Sequence, residues 1–426
     1  MKAIGIDLGT TGICGVLIDV ETGAVLSSRT DESHAFIKSD KPFESIQSPE
    51  RIVTLATDIL EGLIDDDTVA IGVTGQMHGI VYTNDEGLAV SPLYIWQDGR
   101  GNQPYLETTY AEHLKSHSGY GNVTDFYNRK NGLVSEDAVG YCTIHDYFVM
   151  RLCSLNRAKM HISDAASLGC FDIEKNVFNY PCDVDIVSDY EVAGYYKGIP
   201  VSVAIGDNQA SVFSSLADKN GILLNVGTGS QVSVISDRIV NADGIETRPY
   251  FEGRYLLVGA ALCGGRAYAL LRDFYSKIFG YVTRADDSDV YGIMDKMLEG
   301  IDSSTLTVDT RFSGSRVDES VRGSIGNIST QNFTPEELTC GVLEGMTEEL
   351  YGMYLLMNEK RCGIVGSGNG IRKNRALQRI MEKRFGGELS IPVHHEEAAY
   401  GAALFSLISA GYFKSAEEVQ RLIRFE

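Results

Sequence analysis

Ile6-Asp7-Leu8-Gly9-Thr10-Thr11-Gly12 stands almost at the start of the chain, and a near-copy, Leu224-Asn225-Val226-Gly227-Thr228-Gly229-Ser230, follows about 218 residues later. The first bend is flanked by apolar residues, Ile4 and Ile6 before it and Val16, Leu17 and Ile18 after it. Apolar run, small-residue bend, apolar run predicts strand–turn–strand. Glycines at such a bend leave room for successive backbone N–H groups to converge on an anion, and threonine hydroxyls add donors. Two such bends, one at the head of each half, predict paired lobes that grip one polyphosphate from opposite sides. Gly9, Thr10, Thr11 and Gly12 would act from one lobe, Gly227, Thr228 and Gly229 from the other.

The echo continues beyond the bends. Ser48-Pro49-Glu50 opens an amphipathic stretch carrying Ile52, Ala56, Ile59, Leu60 and Leu63. An N-cap serine, a proline at the first helical position and an acid in the first turn together predict a helix. Thr334-Pro335-Glu336-Glu337 repeats the signal, with capping-box spacing between Thr334 and Glu337. Each helix leads to a short apolar strand and a glycine-bearing loop, Val69 to Gly79 in the first half and Cys362 to Gly370 in the second. Hairpin, helix, strand, loop therefore occurs twice in one order. The expectation is an α/β chain of two domains, 1–205 and 206–426.

A length of 426 residues accommodates two such domains, and 43% hydrophobic with 22% charged residues is ordinary for a globular protein. The net charge of −21 argues against nucleic acid or an anionic membrane surface as partner. No apolar run reaches the ~18 residues that span a bilayer, and Asp7 interrupts the N-terminus too early for a signal peptide. Eight scattered cysteines without a C-x-x-C pair read as reduced thiols in a reducing, cytoplasmic setting. There is no G-x-x-x-x-G-K-[ST], which excludes a P-loop, and no strand-borne G-x-G-x-x-G of the dinucleotide type.

Val201 to Ile205 reads as a strand, Gly206-Asp207 as a turn, and the small residues that follow as a helix. Asp207 at that strand end is the candidate base for a hydroxyl attacking a γ-phosphate, a task an aspartate can perform without a raised pKa. Asp7, beside the first bend, suits a Mg²⁺-side carboxylate; its repeat partner, Asn225, is uncharged. Gly366, Gly368, Asn369 and Asn374 lie in a loop, Gly366 to Asn374, that lets a flat base approach the backbone. Gln76, Met77 and His78, with Trp96, Asp98 and Arg100, form two short polar segments around the only tryptophan. Hydrogen-bonding forks beside an indole face are what a polyol requires.

Taken in order, D-L-G-T-T, G-Q-M-H-G, W-Q-D-G-R, G-D-N-Q-A-S, N-V-G-T-G-S and G-S-G-N-G-I-R-K-N resemble the FGGY family of carbohydrate kinases. Arg311 to Arg316, Arg322 to Ser329 and Glu396 to Leu404 extend the likeness nearly end to end. Trp96 to Asp98, Thr143 to Tyr147 and Ser163 to Phe171 are similar to the sedoheptulokinase branch. The resemblance implies a two-lobed, actin-like (ribonuclease H-like) ATPase fold of duplicated α/β domains around a central cleft that holds ATP. It implies Asp207 as catalytic base, Asp7 on the metal side, Met77-His78 as a sugar-contacting loop, and Gly368, Asn369 and Asn374 in the adenosine motif. The expected reaction is phosphorylation of the terminal primary hydroxyl of a ketose, D-sedoheptulose first and D-xylulose as the alternative, by a monomer or homodimer. An actin-like ATPase switch without a sugar shares the bends but has no use for Asp207 or a polyol loop.

Overall fold

Both bends are β-hairpins. In the computed structural model, which describes residues 1–282 and 289–426, β1 (Lys2–Leu8) pairs antiparallel with β2 (Gly12–Asp19), placing Asp7 opposite Cys14. Beyond β2 lies β3 (Val25–Glu32), also antiparallel. On the other side β1 runs parallel to β4 (Thr68–Gly75), which the helix α1 (Pro49–Leu63) makes possible by carrying the chain back along the sheet. The sheet is completed by β5 (Val192–Tyr196) and β6 (Ile199–Ser202), in the order β5-β6-β4-β1-β2-β3, while β7 (Ile205–Gly206) pairs with the end of β4.

Ala3, Ile4, Ile6, Leu8, Ala70, Ile71 and Val73 are all buried, as strands covered on both faces must be. One cover is α1, whose Ile59 and Leu63 press on Gly15. The other is the helix Glu397–Ser409, from near the end of the chain. A Cβ on Gly5 would lie 1.8 Å from Ala399 O, and one on Gly72 only 1.9 Å from Ala402 O. Glycine at both positions is what lets helix backbone lie directly on strand backbone. Also in this unit are α2 (Ile144–Leu152), α3 (Ile162–Ser167) and α4 (Asp207–Ser215).

The first unit comprises Met1–Ala217, Arg248–Arg254 and His394–Arg424; the second comprises Asp218–Thr247, Tyr255–Val393 and Phe425–Glu426. The second repeats the strand plan. Its β8 (Ile222–Val226) and β9 (Ser230–Ser236) form the hairpin, and β10 (Tyr255–Ala261) pairs antiparallel beyond β9. Strands β11 (Ile364–Ser367) and β12 (Leu389–Ser390) follow in parallel on the far side of β8. Order and direction match β3-β2-β1-β4-β6 strand for strand. Also in this unit are α5 (Gly265–Val282), α6 (Val290–Met297), α7 (Pro335–Leu356), α8 (Asn369–Arg372) and α9 (Arg375–Phe385).

Ser48 caps α1 by accepting from Arg51 N, as the sequence predicts. The capping box expected on α7 forms only by half. Thr334 Oγ1 accepts from Glu337 N at 3.3 Å, but the Glu337 carboxylate accepts from Thr305 N at 2.6 Å and from Ser304 Oγ at 2.9 Å. It ties down the preceding loop instead. Among the described residues, no helix is long and apolar enough to cross a membrane.

Candidate functional site

Asp207 is the first residue of α4, directly after β7, so the expected turn is absent; Gly206 is the N-cap and no side chain caps the helix. The carboxylate therefore does not serve as a cap. Register fixes its place: Ile205 and Gly206 pair with Thr74 and Gly75 at the end of β4, and Thr74 Oγ1 donates to Ile205 O at 2.7 Å. Gly206 N donates to Ser163 Oγ at 3.1 Å. Met77 packs on Gly206 so closely that a Cβ there would meet its Cε at 2.6 Å. The strand end bearing Asp207 and the Gln76–Gly79 loop are thus one packed unit. Burial pushes the Asp207 carboxyl up, while His145 and Arg248 pull it back down. The sequence reading expected no such upward push; it arises from burial, while the two opposing charges come from distant parts of the chain.

Asp7 belongs to the same group. Its carboxyl is pushed up to about 7, first by burial and then by the charges of Asp207 and Glu396. Its Oδ1 is buried with no hydrogen-bond partner. An oxygen that lacks a donor and faces like charges is suited to a hard divalent cation, so the residues present fit Mg²⁺.

His78 has φ 74°, a left-handed conformation uncommon for a residue with a side chain. Ser167 holds it there: its Oγ accepts from His78 N at 3.2 Å, and its carbonyl accepts from His78 Nδ1 at 2.7 Å. The ring also stacks on Tyr120, centroids 4.2 Å apart. Donation from Nδ1 leaves Nε2 as the acceptor of the neutral imidazole, the form that can receive a hydroxyl proton in a hydrogen bond.

A second network joins this loop to the first bend. Trp96 Nε1 donates to Thr10 Oγ1 at 3.0 Å, and Thr10 Oγ1 donates to Gln76 Oε1 at 3.3 Å. Gln47, which the sequence reading missed, donates through Nε2 to Thr10 O at 2.6 Å and accepts from Gln76 Nε2 at 2.9 Å. The indole remains 46% exposed, so its N–H is engaged within the protein while its face is open. Thr10 and Gln76, expected at different ligands, share one set of hydrogen bonds.

Asp98 and Arg100 depart from expectation. Each is 1% exposed. Asp98 accepts from Arg100 Nε at 2.6 Å, from Arg100 Nη2 at 3.1 Å and from Ser45 N at 2.9 Å. The guanidinium lies over Tyr94 at 4.1 Å and donates to Asn128. These head groups are consumed inside the protein, and a buried bidentate pair is structural rather than sugar-reading.

In the second unit the bend Gly227–Gly229 sits against the start of α5, with Gly265 N donating to Gly227 O and Arg266 N to Thr228 O, both at 3.0 Å. A cavity of about 900 Å³ opens beside it, walled by Gly227, Thr228, Gly368, Asn369, Lys373 and Asn374 together with Tyr268 and Tyr291. That is ample for a nucleoside. The two tyrosine rings lie 5.9 Å apart at 24°, flat walls of the kind that suit a base. Gly368 has φ 80°, and a Cβ on it would come within 2.6 Å of Val226 O. Asn374 Oδ1 accepts from Leu377 N as the cap of α9. Gly366 is a correction: it lies inside β11, where a Cβ would strike Ile371 and Leu389, and it makes room for packing, not for a ligand. Tyr268, Tyr291 and Arg266 were missed, because on a helix an aromatic at such spacing reads as core.

The profile of the FGGY family of carbohydrate kinases matches twice, its N-terminal domain over residues 2–181 and its C-terminal domain over 222–410. The chain is 29% identical to the mouse sedoheptulokinase, over 95% of this chain and 97% of that one, and shows the same identity and coverage to the human sedoheptulokinase. The crystal structure of xylulose kinase from Rhodospirillum rubrum superposes with a TM-score of 0.86 at 17% identity, covering 100% of this chain and 93% of the other. The fold is thus the actin-like one that such kinases share.

Proposed function

As this chain belongs to the FGGY family of carbohydrate kinases, we propose that it transfers the γ-phosphoryl group of ATP to the terminal primary hydroxyl of a ketose, D-sedoheptulose, giving the 7-phosphate. In this reading the first unit holds the sugar and the second the nucleotide, and the protein works in the cytoplasm as a monomer or homodimer. The sugar is inferred from the likeness to the mouse and human sedoheptulokinases along almost the whole chain.

The observation that carries the reading is the position of Asp207, uncapped at a helix start, against the Met77-His78 loop and beside the pair His145 and Arg248. His78 Nε2 and the open face of Trp96 orient the ketose, and Asp207 receives the proton as the hydroxyl oxygen bonds to phosphorus and the bond to ADP breaks. Asp7 would hold Mg²⁺, which when bound neutralises phosphate charge. Tyr268, Tyr291 and Gly368 would seat the base.

A coupled ADP-release assay over C4 to C7 ketoses and polyols tests this. The expected result is the highest kcat/KM with D-sedoheptulose. A higher value with D-xylulose would move the assignment to that sugar. ATP hydrolysis indifferent to every sugar would replace the kinase with an ATPase switch.

A further inference from the structure

His145 and Asp146 on α2 and Asp164 on α3 meet in the interior of the first unit, and the proposed chemistry uses none of them. His145 and Asp164 are fully buried and Asp146 is 1% exposed. One ligand atom from each lies within 4.8 Å of the other two, and His145 Nε2 stands 3.0 Å from Asp164 Oδ1. The hydrogen bonds that such proximity should bring do not form. Both ring nitrogens of His145, Oδ1 of Asp146 and Oδ2 of Asp164 are buried without a hydrogen-bond partner. Among the described residues, no other three histidine, cysteine or carboxylate side chains come together in this way.

Buried polar atoms without partners are costly, and several in one place call for a group that supplies what they lack. One cation satisfies a ring nitrogen and both free carboxylate oxygens at once. A neutral imidazole with two carboxylates is a donor set for a divalent ion, and the two negative charges cancel that of the ion, as burial demands. Burial pushes the His145 imidazole down, towards the neutral form that ligates. The imidazole argues against Mg²⁺ and Ca²⁺, which take oxygen, and for Mn²⁺ or Zn²⁺, which accept nitrogen beside carboxylate oxygen. We propose that His145, Asp146 and Asp164 bind one such transition-metal ion, separate from any Mg²⁺ at Asp7, as a structural clamp between α2 and α3.

The surroundings hold the ligands in place. Asp146 Oδ2 accepts from Thr143 Oγ1 at 2.6 Å, which leaves Oδ1 as the free oxygen; an outer hydrogen bond of this kind orients a metal carboxylate. On α3, Ser163 lies beside Asp164 and accepts from Gly206 N at 3.1 Å. Gly206 pairs in register with Gly75, and the His145 Cβ lies 3.2 Å from where a Cβ on Gly75 would be. The ion thus ties α2 and α3 together against the strand ends of β4 and β7. All three ligands are buried, so the ion is taken up as the unit folds and exchanges slowly. Metal content is independent of which sugar, if any, the protein phosphorylates, so this site stands or falls apart from the kinase reading.

The test measures metal in the full chain, prepared without a metal-affinity column. Mass spectrometry of the elements after dialysis is expected to find about one equivalent of Mn²⁺ or Zn²⁺ per chain. Protein unfolded in EDTA and refolded should take that equivalent back from MnCl₂ or ZnCl₂ alone, and the salt that succeeds names the ion. The refilled protein should melt roughly 5 °C or more above the ion-free form. Asp146→Asn and Asp164→Asn are expected to retain less than about a tenth of an equivalent, whereas Asp7→Asn keeps the whole. In protein refilled with Mn²⁺, electron spin echo spectra should show a directly bound imidazole nitrogen, which His145→Gln removes. That signal is read in wild type, so it decides the matter even if no variant folds. A Mn²⁺ spectrum without the nitrogen, no uptake of either ion at about 100 µM, Mg²⁺ as the only ion retained, or equal retention by folded Asp164→Asn each overturns the proposal.

Discussion

Asp7→Asn is expected to make the metal-free protein more stable while removing its response to Mg²⁺. The Asp7 carboxyl is pushed from 3.8 to about 7 by burial, Asp207 and Glu396. A group raised in the folded state favours folding below its unfolded pKa, and that contribution is lost as pH rises through the folded value. The window is therefore about pH 4 to 7. A shift of about three units corresponds to ~4 kcal/mol at its upper bound. Relaxation and water entry reduce this to roughly half, because effective protein dielectric constants near 20 describe such sites best. The asparagine amide carries no charge to bury and can donate to the neighbouring carboxylates. Metal-free Asp7→Asn should then melt roughly 4–8 °C above wild type at pH 8 and no higher near pH 4, using ~2–4 °C per kcal/mol for a unit of this size. Thermal melts from pH 4 to 8.5, without metal and with Mg²⁺ titrated in, read both effects. Wild type should gain stability with Mg²⁺ and the variant should not. If the variant is no more stable at pH 8, Asp7 is not a strained carboxylate. If Mg²⁺ stabilises both equally, the ion is held elsewhere.

Asp207→Asn should lower kcat by roughly 10²–10⁴ with ATP binding nearly unchanged; calorimetric ATP titration beside steady-state rates checks it, and a loss below tenfold in folded protein removes Asp207 from the chemistry. Trp96→Phe deletes one donor to Thr10, at a cost of about 1 kcal/mol, so the ketose KM should rise about fivefold, and ADP release without sugar should increase relative to kcat as Thr10 loses one of its tethers. A rise in ATP KM alone would contradict the shared network. Gly368→Ala forces a side chain to φ 80° and to 2.6 Å from Val226 O; ATP affinity should fall at least tenfold while sugar affinity, measured by tryptophan fluorescence, stays within twofold.

Features decided by neighbouring residues were legible in the sequence. Strand–bend–strand at Gly9 and Gly227, the Ser48 cap and the α9 run after Asn374 all depend on contacts a few residues apart. The strand-end position of Asp207 was legible for a related reason, though the turn expected there gave way to the first residue of a helix. The burial of Asp98 and Arg100 was not legible because Ser45 and Asn128, which hold them, come from separate stretches, and proximity in sequence says nothing about which face is wrapped. The His145–Asp164 pair joins two helices and was visible only as part of a family likeness. The return of the Glu397–Ser409 helix to Gly5 and Gly72 is a backbone-on-backbone fit, and no side-chain pattern encodes it.

The two units build different strand ends on one strand plan. At equivalent ends of β1 and β8 stand Asp7 and Asn225. Asp7 is left with an unsatisfied oxygen, whereas Asn225 Nδ2 donates to Ser367 Oγ at 2.7 Å. A second carboxylate there would need a donor or a cation of its own, whereas the neutral amide is satisfied by Ser367. The loops after β4 and β11 diverge in the same manner. Each contains a left-handed residue, His78 in one and Gly368 in the other. Where the backbone itself must come close, only glycine fits. In the other loop the strain of placing an imidazole at positive φ is held by Ser167 and Tyr120. The duplicated scaffold supplies position, and the residue exchanged at each strand end determines which groups that position presents.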